Sequence, residues 1–163
     1  MCVLCQTRTP RSYSEIEMEL PPAASGSTTV DDARQRLTEL REKLLALHKA
    51  LLDSERTSYE LIHGPIPSPG AFLQLLINDA RFEWLRPITT LIVQIDESLA
   101  AKNPPAPARQ FEQLIEDMRA LLSPSREENG FWKRYSNALQ RDPGVAVLHE
   151  ALERQLSLVR NHR

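Results

Sequence analysis

Glycine is scarce in this chain, with five glycines against twelve prolines in 163 residues. No two glycines sit at a spacing that could cradle a phosphate, so nucleotide-binding loops are excluded. Cysteine is scarcer still, confined to Cys2 and Cys5. Their C-x-x-C spacing is half of a zinc site, but a structural site takes four ligands and no second pair exists. A thioredoxin-like redox pair belongs at a helix start beside a βαβ pattern, and none is present. The pair therefore reads as a chance spacing on a polar tail. An excess of charge of either sign is also missing: 20 basic against 22 acidic residues leave a net charge of −2. That balance gives no footprint for a nucleic acid and none for an anionic membrane. Apolar runs last only a few residues, where a spanning helix takes roughly 20. No basic segment leads into a long apolar one at the N-terminus, as a secretory signal would have, and Glu15, Glu17 and Glu19 do not suit a transit peptide. The expected location is the cytoplasm. β-branched residues are sparse outside Ile88–Ile95, and there is neither strand alternation nor an internal repeat.

What is present is ordinary for one globular domain: 41% hydrophobic and 26% charged residues, enough to build a core. Residues 1–28 lack periodicity and end in the polar stretch Pro21-Pro22 to Thr28, which reads as a disordered tail. Met18 offers a second start site, and translation from it would remove both cysteines. The folded domain is expected over 29–163. Thr29 is placed to cap the first helix, with Asp31 and Asp32 against the positive end of its dipole. Leu37, Leu40, Leu44, Leu47 and Leu51 follow at steps of three and four, a narrow coiled-coil-like stripe. The spacing predicts a helix from about Val30 to Ile62, roughly 50 Å long at 1.5 Å per residue. Gly64 and Pro65 end it. Ser54 and Ser58 leave a gap in the stripe that a bulky residue should fill, with Phe72, Phe82 or Trp84 as the candidates.

Ser68 and Pro69 read as the N-cap and first residue of the next helix. Its pattern runs through Phe72, Leu73, Leu76 and Ile77, then resumes at Ile88, Leu91, Ile92, Ile95 and Leu99. Pro87 lacks the N–H that would bond residue 83, which predicts a kink near Glu83–Arg86 in one long helix, Pro69–Ala101. Two long helices joined by a short rigid turn are expected to lie antiparallel. The proline-rich stretch Asn103–Pro107 is a stiff connector. Three shorter helices follow: Phe111 to Leu122, Phe131 to Leu139, and one opened by Asp142-Pro143 that carries Val145, Leu148, Leu152, Leu156 and Val159. The fold class is all-α, a helical bundle: a long antiparallel helical hairpin with one arm kinked, covered by about three shorter helices.

Chemistry-bearing patterns are thin. Glu60 and His63 have the E-x-x-H spacing of ferritin-like di-iron bundles, which need a second such pair and two more glutamates. His149 with Glu153 at i+4 is the nearest counterpart, so Glu60, His63, His149 and Glu153 are the metal-ligand candidates. The competing reading is that His63 donates to the last carbonyls of the first helix. No G-x-S-x-G turn is present, and the neighbouring carboxylates Asp96 and Glu97 point to different parts of a helix surface. No cofactor is implied. Arg81, Trp84 and Arg86 combine the residue types that anchor protein interfaces, and are the binding candidates. Against this stands the reading that the tryptophan caps the core while arginines cover its outer face.

The segments His48–Arg56 (H-K-x-L-L-D-x-E-R), His63–Ile66 (H-G-x-I/V) and Trp84–Asp96 (W-L-R-P-L/I-x-x-L-I-V-x-I-D) resemble a group of small uncharacterised bacterial helical proteins. The resemblance covers about a third of the chain. It implies a helical bundle and a bacterial source, and it carries no activity from which a residue's role would follow. The expected function is a non-enzymatic protein-interaction or structural helical module. Its partner would be another protein or a second copy, the latter through the first helix. The alternative is a small-ligand or metal-binding bundle with His48, His63 and Trp84 near its site.

Overall fold

The computed structural model describes residues 25–102, 105–124 and 130–160; Cys2, Cys5, Met18 and the expected tail up to residue 24 lie outside these. The described chain is all-α and contains no strand. Its helices are α1 (Ser25–His63), α2 (Pro69–Asn78), α3 (Arg86–Ala100), α4 (Ala108–Leu122), α5 (Gly130–Arg141) and α6 (Pro143–Arg160), with a 3-10 turn at Glu83–Leu85.

α1 is the axis of the molecule. Its 39 residues span about 58 Å. Ala33, Leu37, Leu40, Leu44, Leu47 and Leu51 have no exposed surface, so the three-and-four spacing is the buried stripe. Each such leucine contributes about 1.5–3 kcal/mol through burial. The helix starts at Ser25, inside the stretch read as linker, and Thr29 therefore lies within it rather than capping it. Serine and threonine lose only a fraction of a kcal/mol against alanine once a helix is nucleated, so the buried stripe can carry its helix outward. At the other end Gly64 takes φ +84° and its N–H bonds the Glu60 carbonyl at 2.9 Å, as glycine after a helix does.

α3 and α6 both run antiparallel to α1. Along α3 the contacts descend as α1 ascends: Arg34 with the Leu99 carbonyl, Arg41 with Asp96, His48 with Thr89. Along α6, Gln155 meets Glu39, while Arg141, just before the helix, meets Glu55. α4 packs against α1, α3 and α6; its Gln110 donates to Ser98 and its Arg119 to the Leu156 carbonyl. The core is thus four helices, α1, α3, α4 and α6, with α5 laid over one end and α2 on a flank.

The expected kinked arm is two helices. α2 ends where Asp79 turns extended (φ −93°, ψ 123°) and its N–H closes on Leu75. The Asp79 carboxylate then accepts from the Arg81 N–H at 2.8 Å, an Asx turn that reverses the chain. Pro87 falls in the first turn of α3, where its missing N–H costs nothing. The proline starts a helix rather than bending one. The caps expected at Ser68 and Asp142 are in place: Ser68 Oγ accepts from Ala71 N–H at 3.1 Å, and Asp142 Oδ1 from Gly144 N–H at 2.9 Å.

The gap expected at Ser54 and Ser58 is covered from α5 at Ser54, while Ser58 still lines an open hollow with Leu61 and Arg141. Arg141 Nη2 donates to Glu55 Oε1 at 2.6 Å and to Ser54 Oγ at 3.2 Å. Phe72, Phe82 and Trp84 do not enter it: Phe82 lies against Tyr59 and Phe72, with ring centroids 6.1 and 5.8 Å apart. A side chain small enough to admit a guanidinium lets a charged pair, rather than an aromatic ring, complete the stripe.

Candidate functional site

Arg81, Trp84 and Arg86 follow one another through the turn between α2 and α3, yet they share no face. Trp84 is 7% exposed and its ring meets Phe131 at 5.8 Å, inside an aromatic layer that continues to Tyr135 and Trp132. Arg81 lays its guanidinium over the Tyr59 ring at 5.7 Å, and its carbonyl accepts from Arg134. Arg86 is exposed and paired with Glu83 at 3.4 Å. The expected anchor is therefore withdrawn from the surface: the indole belongs to the core, because the reversal at Asp79 turns Trp84 inward, and one arginine covers an aromatic face.

The metal-ligand candidates stand apart. The antiparallel register of α6 sets His149 level with about residue 46 of α1, roughly 25 Å from His63 at 1.5 Å per residue. Glu60 accepts from Arg56 at 3.0 Å and from the Ile66 N–H at 3.2 Å; these bonds hold its carboxyl below the usual range. His63 is exposed and lies against Tyr59, ring centroids 4.4 Å apart, rather than turning back on the helix carbonyls. His149 Nδ1 bonds the Tyr135 hydroxyl at 2.8 Å. Burial, with Glu153 nearby, raises the Tyr135 pKa. Among the described residues no three His, Cys, Asp or Glu side chains gather as a metal site needs. These four residues serve helix ends and an α5–α6 contact.

Two features that the sequence did not single out are more telling. The first is α2 itself. Its ten residues contain no charged side chain, and none of them is buried. Phe72, Leu75 and Leu76 are half-buried against the bundle, while Leu73 and Ile77 stand 53% and 59% exposed. Gln74 and Asn78 are its only polar side chains. A helix that is apolar nearly all round normally lies in a core, and this one lies outside. The signal was legible as the absence of Asp, Glu, Lys and Arg from Gly64 to Asn78.

The second is a cleft of about 410 Å³ where α2 stands off the α1–α3 face. Leu52, Leu76, Phe82 and Leu85 make its apolar wall, with Leu73 and Ile77 at the α2 side. His48 and Thr89 supply the polar spot, imidazole Nε2 to hydroxyl 3.1 Å. Burial lowers the His48 pKa, favouring the neutral ring. Glu83 and Arg86 complete the lining. Of the residues expected near a ligand, the structure brings His48 here; His63 and Trp84 do not line the cleft. No helix of the described residues is long and apolar enough to cross a membrane.

Comparison of the chain with protein-family models, curated proteins and solved structures finds no match.

Proposed function

We propose that the chain is a non-enzymatic, cytoplasmic protein-interaction module whose docking element is α2. The observation that carries this reading is a ten-residue helix with no charge and no buried residue, whose Leu73 and Ile77 keep more than half of their surface exposed. Exposed apolar surface of that kind marks an interaction site. A membrane surface is the poorer cover, because interfacial helices carry lysine and arginine on their polar face, where α2 has only Gln74 and Asn78. The test is amide hydrogen exchange of α2 alongside particle size from light scattering. The expected result is fast exchange in the monomer and protection when a partner or a second copy assembles on it. A monomer whose α2 amides are as protected as those of α1 would show that the helix needs no cover.

The cleft beside α2 supports a second reading, a small-ligand site. Its volume lies in the range of such sites, and an apolar wall with few polar groups is their usual composition.

A further inference from the structure

We propose that the cleft between α1, α2 and α3 binds a small, uncharged, largely apolar molecule carrying one hydrogen-bond donor, seated on Leu52, Leu76 and Phe82 with its donor at Thr89. This rests on the small-ligand reading and names the ligand class.

Size comes first. The lining residues span at most four positions on each helix: His48 and Leu52 on α1, Leu73 to Ile77 on α2, Arg86 and Thr89 on α3. The cleft is therefore about one helical turn long, ~6 Å along each wall. A docked helix uses anchors over two turns or more, so the space suits a compact molecule.

Charge decides the class. The ionisable residues lining the cleft are His48, Glu83 and Arg86. Glu83 and Arg86 face each other at 3.4 Å and cancel. His48 is half-buried and favours its neutral form. A charged ligand would leave water without gaining an unpaired counter-charge, which is costly.

The polar spot fixes the sense of the hydrogen bond. Thr89 Oγ1 donates its one proton to the Leu85 carbonyl at 3.3 Å. His48 Nε2 lies 3.1 Å from Thr89 Oγ1, and whether it donates to that oxygen or competes for its proton, Oγ1 accepts at most one bond from it. A hydroxyl oxygen accepts twice, so one lone pair of Thr89 is left for a ligand N–H or O–H.

The experiment uses the full chain and four matched probes followed by titration calorimetry and by amide NMR shifts: 3-methylindole, its N-methylated form, indole-3-acetate and tryptamine. The expected result is saturable one-site binding of 3-methylindole with shifts confined to α2 and the His48–Thr89 edge. Binding of the anion and of the cation should be tenfold or more weaker, and that of the N-methylated probe several-fold weaker. Ile77→Trp, which fills the mouth from an exposed position, should abolish binding, and Thr89→Val should weaken it to the level of the N-methylated probe. Tighter binding of either charged analogue would overturn the ligand class while leaving a ligand site. Tighter binding of the N-methylated probe would overturn the donor assignment. Failure of all four probes, or binding that Ile77→Trp leaves unchanged, would overturn the site itself.

Discussion

Replacing Arg141 with methionine should destabilise the fold by about 2 kcal/mol. Glu55 has a side chain only 10% exposed, and its oxygen is held by the Arg141 guanidinium at 2.6 Å. Methionine keeps most of the apolar stem but leaves a nearly buried carboxylate without its cation. Breaking a fully buried pair costs about 3–5 kcal/mol, whereas an exposed pair is worth about 0–1 kcal/mol. Arg141 is 44% exposed, so water reaches one partner and the expected cost falls between these limits. For roughly 130 residues at about 2.1 cal/mol/K each, that is a drop of about 7 °C in melting temperature. The assay is thermal and urea unfolding followed by far-ultraviolet circular dichroism. The double variant Glu55→Leu with Arg141→Met removes both charges and should recover most of the loss, giving a coupling energy of about 1–2 kcal/mol. A loss under about 0.5 kcal/mol in Arg141→Met, or no recovery in the double variant, would show that water already screens the pair and that the polar end of the α1 stripe is not held by it.

Other consequences are as direct. Leu47→Ala removes a fully buried side chain at the centre of the stripe and should cost about 3 kcal/mol in urea unfolding. Because burial lowers the folded pKa of His48 from its ordinary 6.5, the unfolded chain takes up the proton first. That contribution is complete above about pH 6.5 and is lost as the pH falls below it; His48→Gln should flatten the difference between urea midpoints at pH 7.5 and pH 5.5. Ser68→Ala removes the α2 cap, a local loss of about 1 kcal/mol. It should quicken amide exchange in α2 and leave the global melting temperature nearly unchanged, since α2 contributes no buried residue.

The parts of the fold that could be read from the sequence are those decided by near neighbours. The leucine stripe from Leu37 to Leu51 depends on spacing along one helix, and the caps at Ser68 and Asp142 depend on a side chain and the next few amides. The break at Asp79 is also local, but Pro87 was the louder signal and misdirected it. Only the pairing of Phe82 with Tyr59 and Phe72 shows why the chain reverses before the proline. Arg141 lies 87 residues from Ser54, and nothing in either segment announces the other. The placement of the site candidates was hidden for a related reason. Arg81, Trp84 and Arg86 have an interface composition, but composition does not say which way a reversed chain points an indole. The lack of charge in α2 was visible, but whether such a helix is buried depends on what α1 and α3 leave room for.

The Gly64–Ser68 connector, closed at one end by a left-handed glycine and stiffened by Pro65 and Pro67, has a consequence for how this protein can change over time. Nearly all buried leucines and isoleucines come from α1, α3, α4 and α6, with Leu85 of the 3-10 turn and Ile66 of the connector added, and α2 contributes none. Substitutions on α2 therefore alter what the molecule presents to its surroundings without being filtered by the stability of the bundle. Stability and recognition are separately heritable in such an arrangement. A library randomised at Leu73, Leu76 and Ile77 should yield mostly folded members with altered binding, whereas the same randomisation at Leu40, Leu44 and Leu47 should yield mostly unfolded ones.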